Sequence, residues 1–124
     1  MRVILHGEED LEFRDFGTPS LDIQPEDPAA HYSALQMFAT SLALCTYSIL
    51  VSYGEQIDVP EENMVIRVRW GYADNPMRIA GIDMDIQWPE LPESRLKAAQ
   101  RAASHCTIHN TLAHPPPIDT RVNA

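Results

Sequence analysis

Positive charge is scarce in this chain. Its 124 residues carry nine Lys and Arg against eighteen Asp and Glu, a formal net charge of −9. Without a basic stripe there are no condensed counterions to displace from phosphates, which argues against nucleic acid as a partner. An anionic membrane surface is disfavoured for the same reason. Cysteine is nearly as rare. Cys45 and Cys106 are the only two, too few and too far apart for the disulfide scaffold of a small secreted domain. The opening MRVILHGEED has one arginine and a four-residue apolar run, well short of a secretory h-region. There is no internal repeat, and no low-complexity segment beyond Pro115–Pro117. These absences predict one cytoplasmic domain over residues 1–124 with a modest core.

The longest uncharged stretch, ALQMFATSLALCTYSILV (34–51), is 18 residues long, long enough to be weighed as a membrane span. Gln36, Thr40, Ser41, Thr46 and Ser48 interrupt it, and no basic flank sets an orientation. A buried helix and no membrane partner is the better reading. This helix is expected to start near His31 or Ser33 and to run to about Tyr53, with Gly54 as its stop. Its apolar residues go nearly all the way round, the pattern of a helix covered on most sides. So short a chain has little material to wrap it, which predicts a homodimer whose partner supplies the cover.

Ahead of the helix, residues 2–6 and 11–16 read as two strands joined by the acidic turn Gly7-Glu8-Glu9-Asp10. Residues 17–30 hold three prolines and read as a loop with at most one short extended piece. Behind it, residues 63–72 and 77–88 alternate apolar and polar positions around the turn ADNP, the signature of an antiparallel hairpin packed on one face. Arg67 and Arg69 are expected to pair across that hairpin with Asp83 or Asp85. Residues 92–106 read as a helix with Pro92 in its first turn, followed by a short helix or turn at CTIHNTL and an extended tail, 115–124. The order β-β-α-β-β-α-α is that of an α+β domain.

The candidate chemistry rests on sulfur. Cys45 lies mid-helix, where a free cysteine is usually a small buried hydrophobe with nothing to activate it. Cys106 lies where one helix ends and another begins, so free N–H groups can point at its sulfur and favour the thiolate. His105 and His109 flank it. Two or three ligands without a second cluster make a weak zinc signal, and no residue is assigned to a metal or cofactor. A thiol beside a base also suits a Cys-His hydrolase, but no oxyanion hole or third group can be identified. Both cysteines together suit thiol–peroxide chemistry, with one thiol attacking the O–O bond and the other condensing with the sulfenic acid.

SALQMFATSLALCTYSIL resembles the central-helix motif of the OsmC/Ohr family, the osmotically inducible and organic hydroperoxide resistance proteins, and HCTIHNTL resembles that family's second cysteine motif. The resemblance covers about residues 31–114. It implies the OsmC-like α+β fold, an intertwined homodimer with long central helices between sheets, and thiol-dependent reduction of organic hydroperoxides. It makes Cys45 the peroxidatic candidate and Cys106 the resolving one, reset by a dithiol such as a lipoyl protein. The alternative is a non-catalytic relative that holds a small hydrophobic ligand in its dimer cleft. The chain departs from the family pattern at three places. The motif's proline is Ala34, its acidic residue falls at Leu35 or Gln36, and the proline after the second cysteine is Thr107. The N-terminal portion, from which the family's catalytic arginine comes, is shorter than usual and leaves Arg14 and Arg2 as candidates.

Overall fold

The computed structural model describes residues 1–124. One five-stranded sheet carries the long helix, and the shorter helices pack on that helix. Its strands are β1 (Arg2–Gly7), β2 (Asp10–Arg14), β3 (Asp22–Pro25), β4 (Val65–Ala73) and β5 (Arg78–Gln87), in the order β3-β1-β2-β4-β5. Only the β1–β3 pairing is parallel. The helices are α1 (Ala34–Ile57), α2 (Leu96–Ala103) and α3 (Thr107–Ala113), with one 3₁₀ turn at Glu93–Arg95.

Alternation decides which way each strand faces. Val3 and Leu5, Leu11 and Phe13, and Ile66, Val68 and Trp70 are buried from successive strands. They meet Ala39, Ala43 and Leu50 of α1 and Ala99 and Ala103 of α2 in one core. Each large side chain wholly withdrawn from water there contributes about 1.5–3 kcal/mol. Small residues on α1 let it come close to β2 and β4, and α2 packs on α1.

The start of α1 is secured by a side chain. Gln36 Oε1 accepts from the Ser33 N–H at 3.0 Å, and Gln36 Nε2 donates to the Glu8 carbonyl at 2.7 Å, tying the helix start to the β1–β2 turn. By length and composition α1 could cross a membrane, but its stripe from Gln36 through Ala39, Ala43, Thr46 and Leu50 to Gly54 is buried within the fold.

The structure corrects the sequence reading in several places. The helix does not stop at Gly54. It runs to Ile57 and ends at Asp58 in the left-handed conformation, φ 58°, which Asp tolerates. A Cβ at Gly54 would lie 2.7 Å from the Val59 carbonyl oxygen and 3.1 Å from the Trp88 ring, so this glycine permits a close approach instead of ending the helix. The proline-rich loop contains β3, giving β-β-β-α-β-β-α-α. The helix expected over 92–106 begins as a 3₁₀ turn and breaks at Ser104–His105. Arg69 pairs with Asp83 at 3.0 Å as expected, but Arg67 reaches across to β2 and grips Asp10 with two bonds of 2.8 Å.

Candidate functional site

Cys45 sits in the middle of α1, half-buried, while Cys106 is wholly buried as the N-cap residue of α3. Because α3 packs against α1, the two thiols are brought close enough for Cys45 to raise the pKa of Cys106. Positions 61 residues apart in the chain therefore meet in one place. Neither sulfur is in a disulfide.

The break before α3 produces the cap. Residues 104 and 105 turn with backbone bonds to the carbonyls of Arg101 and Ala102, and Cys106 takes extended angles, φ −61° and ψ 137°. Its sulfur then accepts the His109 N–H at 3.5 Å, satisfying one of the donors that a helix start leaves free. Two opposing influences act on this thiol. Burial pushes its pKa up, and the Cys45 thiol adds to that, while the backbone N–H groups of His109 and Ile108 pull it down. Burial wins, and Cys106 is held as the neutral thiol. The expectation that helix-end amides make Cys106 a thiolate is thus corrected. The amides are there, but desolvation outweighs them.

An apolar groove of about 1280 Å³ is walled by Phe38 and Leu42 of α1, by Ile82, Met84 and Ile86 of β5, and by α2 and α3, though neither cysteine lines it. His109 and Leu112 line its α3 side.

Neither candidate arginine is brought to Cys45 within this chain. Arg2 and Arg14 alternate with the buried Val3 and Phe13 and so lie on the sheet face away from the helices. Arg14 Nε is 2.8 Å from Glu12, whose other oxygen is 3.0 Å from His6 Nε2, and Arg2 pairs with Asp15 at 2.9 Å. At the place of the family's acidic residue, Gln36 has both ends of its amide committed to the helix start, while Leu35 is exposed. His105 and His109 do not build a metal centre. No group of three or more His, Cys, Asp or Glu side chains is arranged to hold a metal ion.

Sequence reasoning missed two participants. Gln36 was detectable, because Ser33-x-x-Gln36 is a capping-box pattern ahead of an apolar run. Thr46, wholly buried with an unpartnered hydroxyl next to Cys45, gave no signal.

The family model for OsmC-like protein matches residues 26–121. Among solved structures the chain is similar to a Psychrobacter arcticus 273-4 protein described as an osmotic stress induced and detoxification response protein. The TM-score is 0.61 and the identity 18%, covering 88% of this chain and 84% of the other. At that identity the likeness speaks for the fold alone. A search of curated proteins finds no match. The family match takes in α1, the hairpin, both cysteines and α3 together, and on that ground this chain belongs to the OsmC-like protein family.

Proposed function

We propose that this protein is a cytoplasmic thiol peroxidase acting on organic hydroperoxides. The observation that carries the reading is the nearness of Cys45 and Cys106 on packed helices, the same helices that wall an apolar groove. In this reading the Cys45 thiolate attacks the peroxide. An S–O bond forms, the O–O bond breaks, and the leaving alkoxide takes a proton to become the alcohol. The Cys106 sulfur then attacks the sulfenic sulfur, an S–S bond forms, and the hydroxyl leaves as water with the Cys106 proton. A dithiol, such as that of a lipoyl protein, returns both cysteines to thiols by exchange. Burial and a retained proton suit Cys106 to the second step, because a buried neutral thiol is a poor first nucleophile. With Arg14 on the outer face, no arginine of the N-terminal strands is assigned a part in activating Cys45.

The reading includes a homodimer. On the free side of α1, Met37 and Leu44 are 56% and 40% exposed. Ser41 and Ser48 on the same side turn their hydroxyls back onto their own helix, and a second copy of α1 would cover such a face. Sedimentation showing a folded monomer at micromolar protein would remove this part of the proposal.

Cumene hydroperoxide added to the reduced protein tests the chemistry. The expected product is lighter by two hydrogen atoms and has no free thiol. A second reading, a non-catalytic protein that holds a hydrophobic ligand, is favoured by the groove's apolar walls and by Gln36 and Arg14 being engaged elsewhere. Thiols that survive equimolar peroxide, with saturable uptake of an apolar fluorophore, would select it.

A further inference from the structure

β5 packs on no helix and has β4 as its only neighbour. Its outer edge therefore leaves a row of backbone N–H and C=O groups without strand partners. Its inward side chains Ile82, Met84 and Ile86 form one wall of the groove, yet none of them is buried.

A segment that matches this edge lies in the same chain. After α3, three prolines hold residues 115–117 extended and without N–H groups. The next five residues have the period of a strand. Ile118, Thr120 and Val122 fall on one face, Asp119 and Arg121 on the other. No residue from 115 to 124 is buried or bonded through its backbone to another element, and Ile118 and Val122 are 87% and 94% exposed.

We propose that residues 118–122 of one copy pair as a strand with the free edge of β5 in a second copy. Beside β5, Ile118, Thr120 and Val122 fall in line with Ile82, Met84 and Ile86 and extend the groove's wall. Asp119 and Arg121 join Asp83, Asp85 and Gln87 on the outer face. That face has a carboxylate to spare. Arg67, opposite Asp85 in the hairpin, is taken by Asp10, which leaves Asp85 with only the Gln87 amide at 3.1 Å. Arg121 is the complementary cation, exposed and in none of the chain's ion pairs. The occupant is a second copy because the proline run, stiff over roughly 9 Å, leads these residues clear of their own sheet. The pairing rests on the homodimer proposed above and not on the peroxide chemistry.

Hydrogen exchange on the full-length chain, with sedimentation in parallel, tests it. The β5 amides should exchange ~10-fold or more slowly in wild type than in a variant carrying Ile118→Asp and Val122→Asp. Both positions are exposed, so that variant loses no core contact of its own fold. Arg121→Glu and Asp85→Arg should each speed β5 exchange about threefold. Mixing these two variants should restore the wild-type rate, because each copy then offers the other the opposite charge. A segment folded back on its own chain would keep both like-charge pairs, so a mixture that does not recover overturns pairing between copies. Equal β5 exchange in wild type and in the doubly substituted variant overturns the added strand altogether. If that variant and wild type both sediment as dimers, the homodimer stands without it, whereas a monomeric wild type removes both.

Discussion

Serine and alanine at position 106 should separate the structural role of the cysteine from its chemistry. The Cys106 sulfur is buried and caps α3 through the His109 N–H at 3.5 Å. Alanine removes one buried heavy atom, the sulfur, a loss of about 1 kcal/mol by comparison with single-methylene deletions, whereas serine exchanges it for a smaller oxygen. Alanine also removes the acceptor, and a lost N-cap costs about 0.5–2 kcal/mol. Serine restores a stronger acceptor and so recovers roughly that amount. A hydroxyl oxygen wants its donor at about 2.9–3.0 Å, so the first turn of α3 must close by roughly half an ångström to use it. Its new hydroxyl is buried with a partner, which offsets most of the desolvation. Cys106→Ser should therefore stay within about 1 kcal/mol of the wild type, and Cys106→Ala should be less stable than serine by about 1 kcal/mol. Urea unfolding under a phosphine reductant would read this as a midpoint difference of roughly half a molar at a slope near 2 kcal/mol per molar. A serine variant less stable than alanine would refute the cap. With the cap intact, any failure of Cys106→Ser to form a disulfide after peroxide is chemical, and the variant should accumulate sulfinic acid instead.

Gly54→Ala should destabilise by about 1–3 kcal/mol, although alanine is the better helix former by about 1, because the added methyl meets the Val59 carbonyl and Trp88. Unchanged thermal stability would show that the helix end can shift. Asp10 has its carboxyl pKa lowered, chiefly by the hydrogen bond from Arg67. A depressed folded-state pKa adds stability above the unfolded value of about 3.9 and loses it as pH falls through the folded value. Wild type should therefore lose more stability than Asp10→Asn on acidification below about pH 4, and parallel pH profiles in urea titrations would count against the pairing. Thr46→Val keeps the branched shape and removes an orphaned hydroxyl, so calorimetry should find it neutral or stabilised by up to about 1 kcal/mol. A loss of more than that would mean that the hydroxyl has a partner.

The strands and the long helix were readable because each repeats a period. The alternation at 64–70 and 82–88 reports a sheet with one buried face, and the structure buries Ile66, Val68 and Trp70 accordingly. What failed was punctuation. Gly54 looks like a helix stop, yet it is kept small by a ring 34 residues downstream. β3 hides among prolines because an edge strand needs only backbone bonds on one side, and Pro25 sits at its end. Arg67 has an acidic residue opposite it in each neighbouring strand region, and no local rule says which one wins. The convergence of the two cysteines depends on how α3 docks on α1, which nothing local encodes. Only the family resemblance foretold that pairing, and it could not foretell that Gln36 would be used up as a cap.

β5 is bonded to a neighbour on one side only, and none of its ten residues is buried. A strand with no buried residue and one free edge belongs to the low end of local opening free energies, so its amides should exchange with deuterium sooner than those of the inner strands β1, β2 and β4. β5 is also the wall of the groove that faces α1. One side of the cavity is thus a well-packed helix that carries Cys45, and the other is a strand bonded on one side only. Such a cavity can take in molecules of different bulk while the distance between the two thiols, fixed by helix packing alone, stays the same.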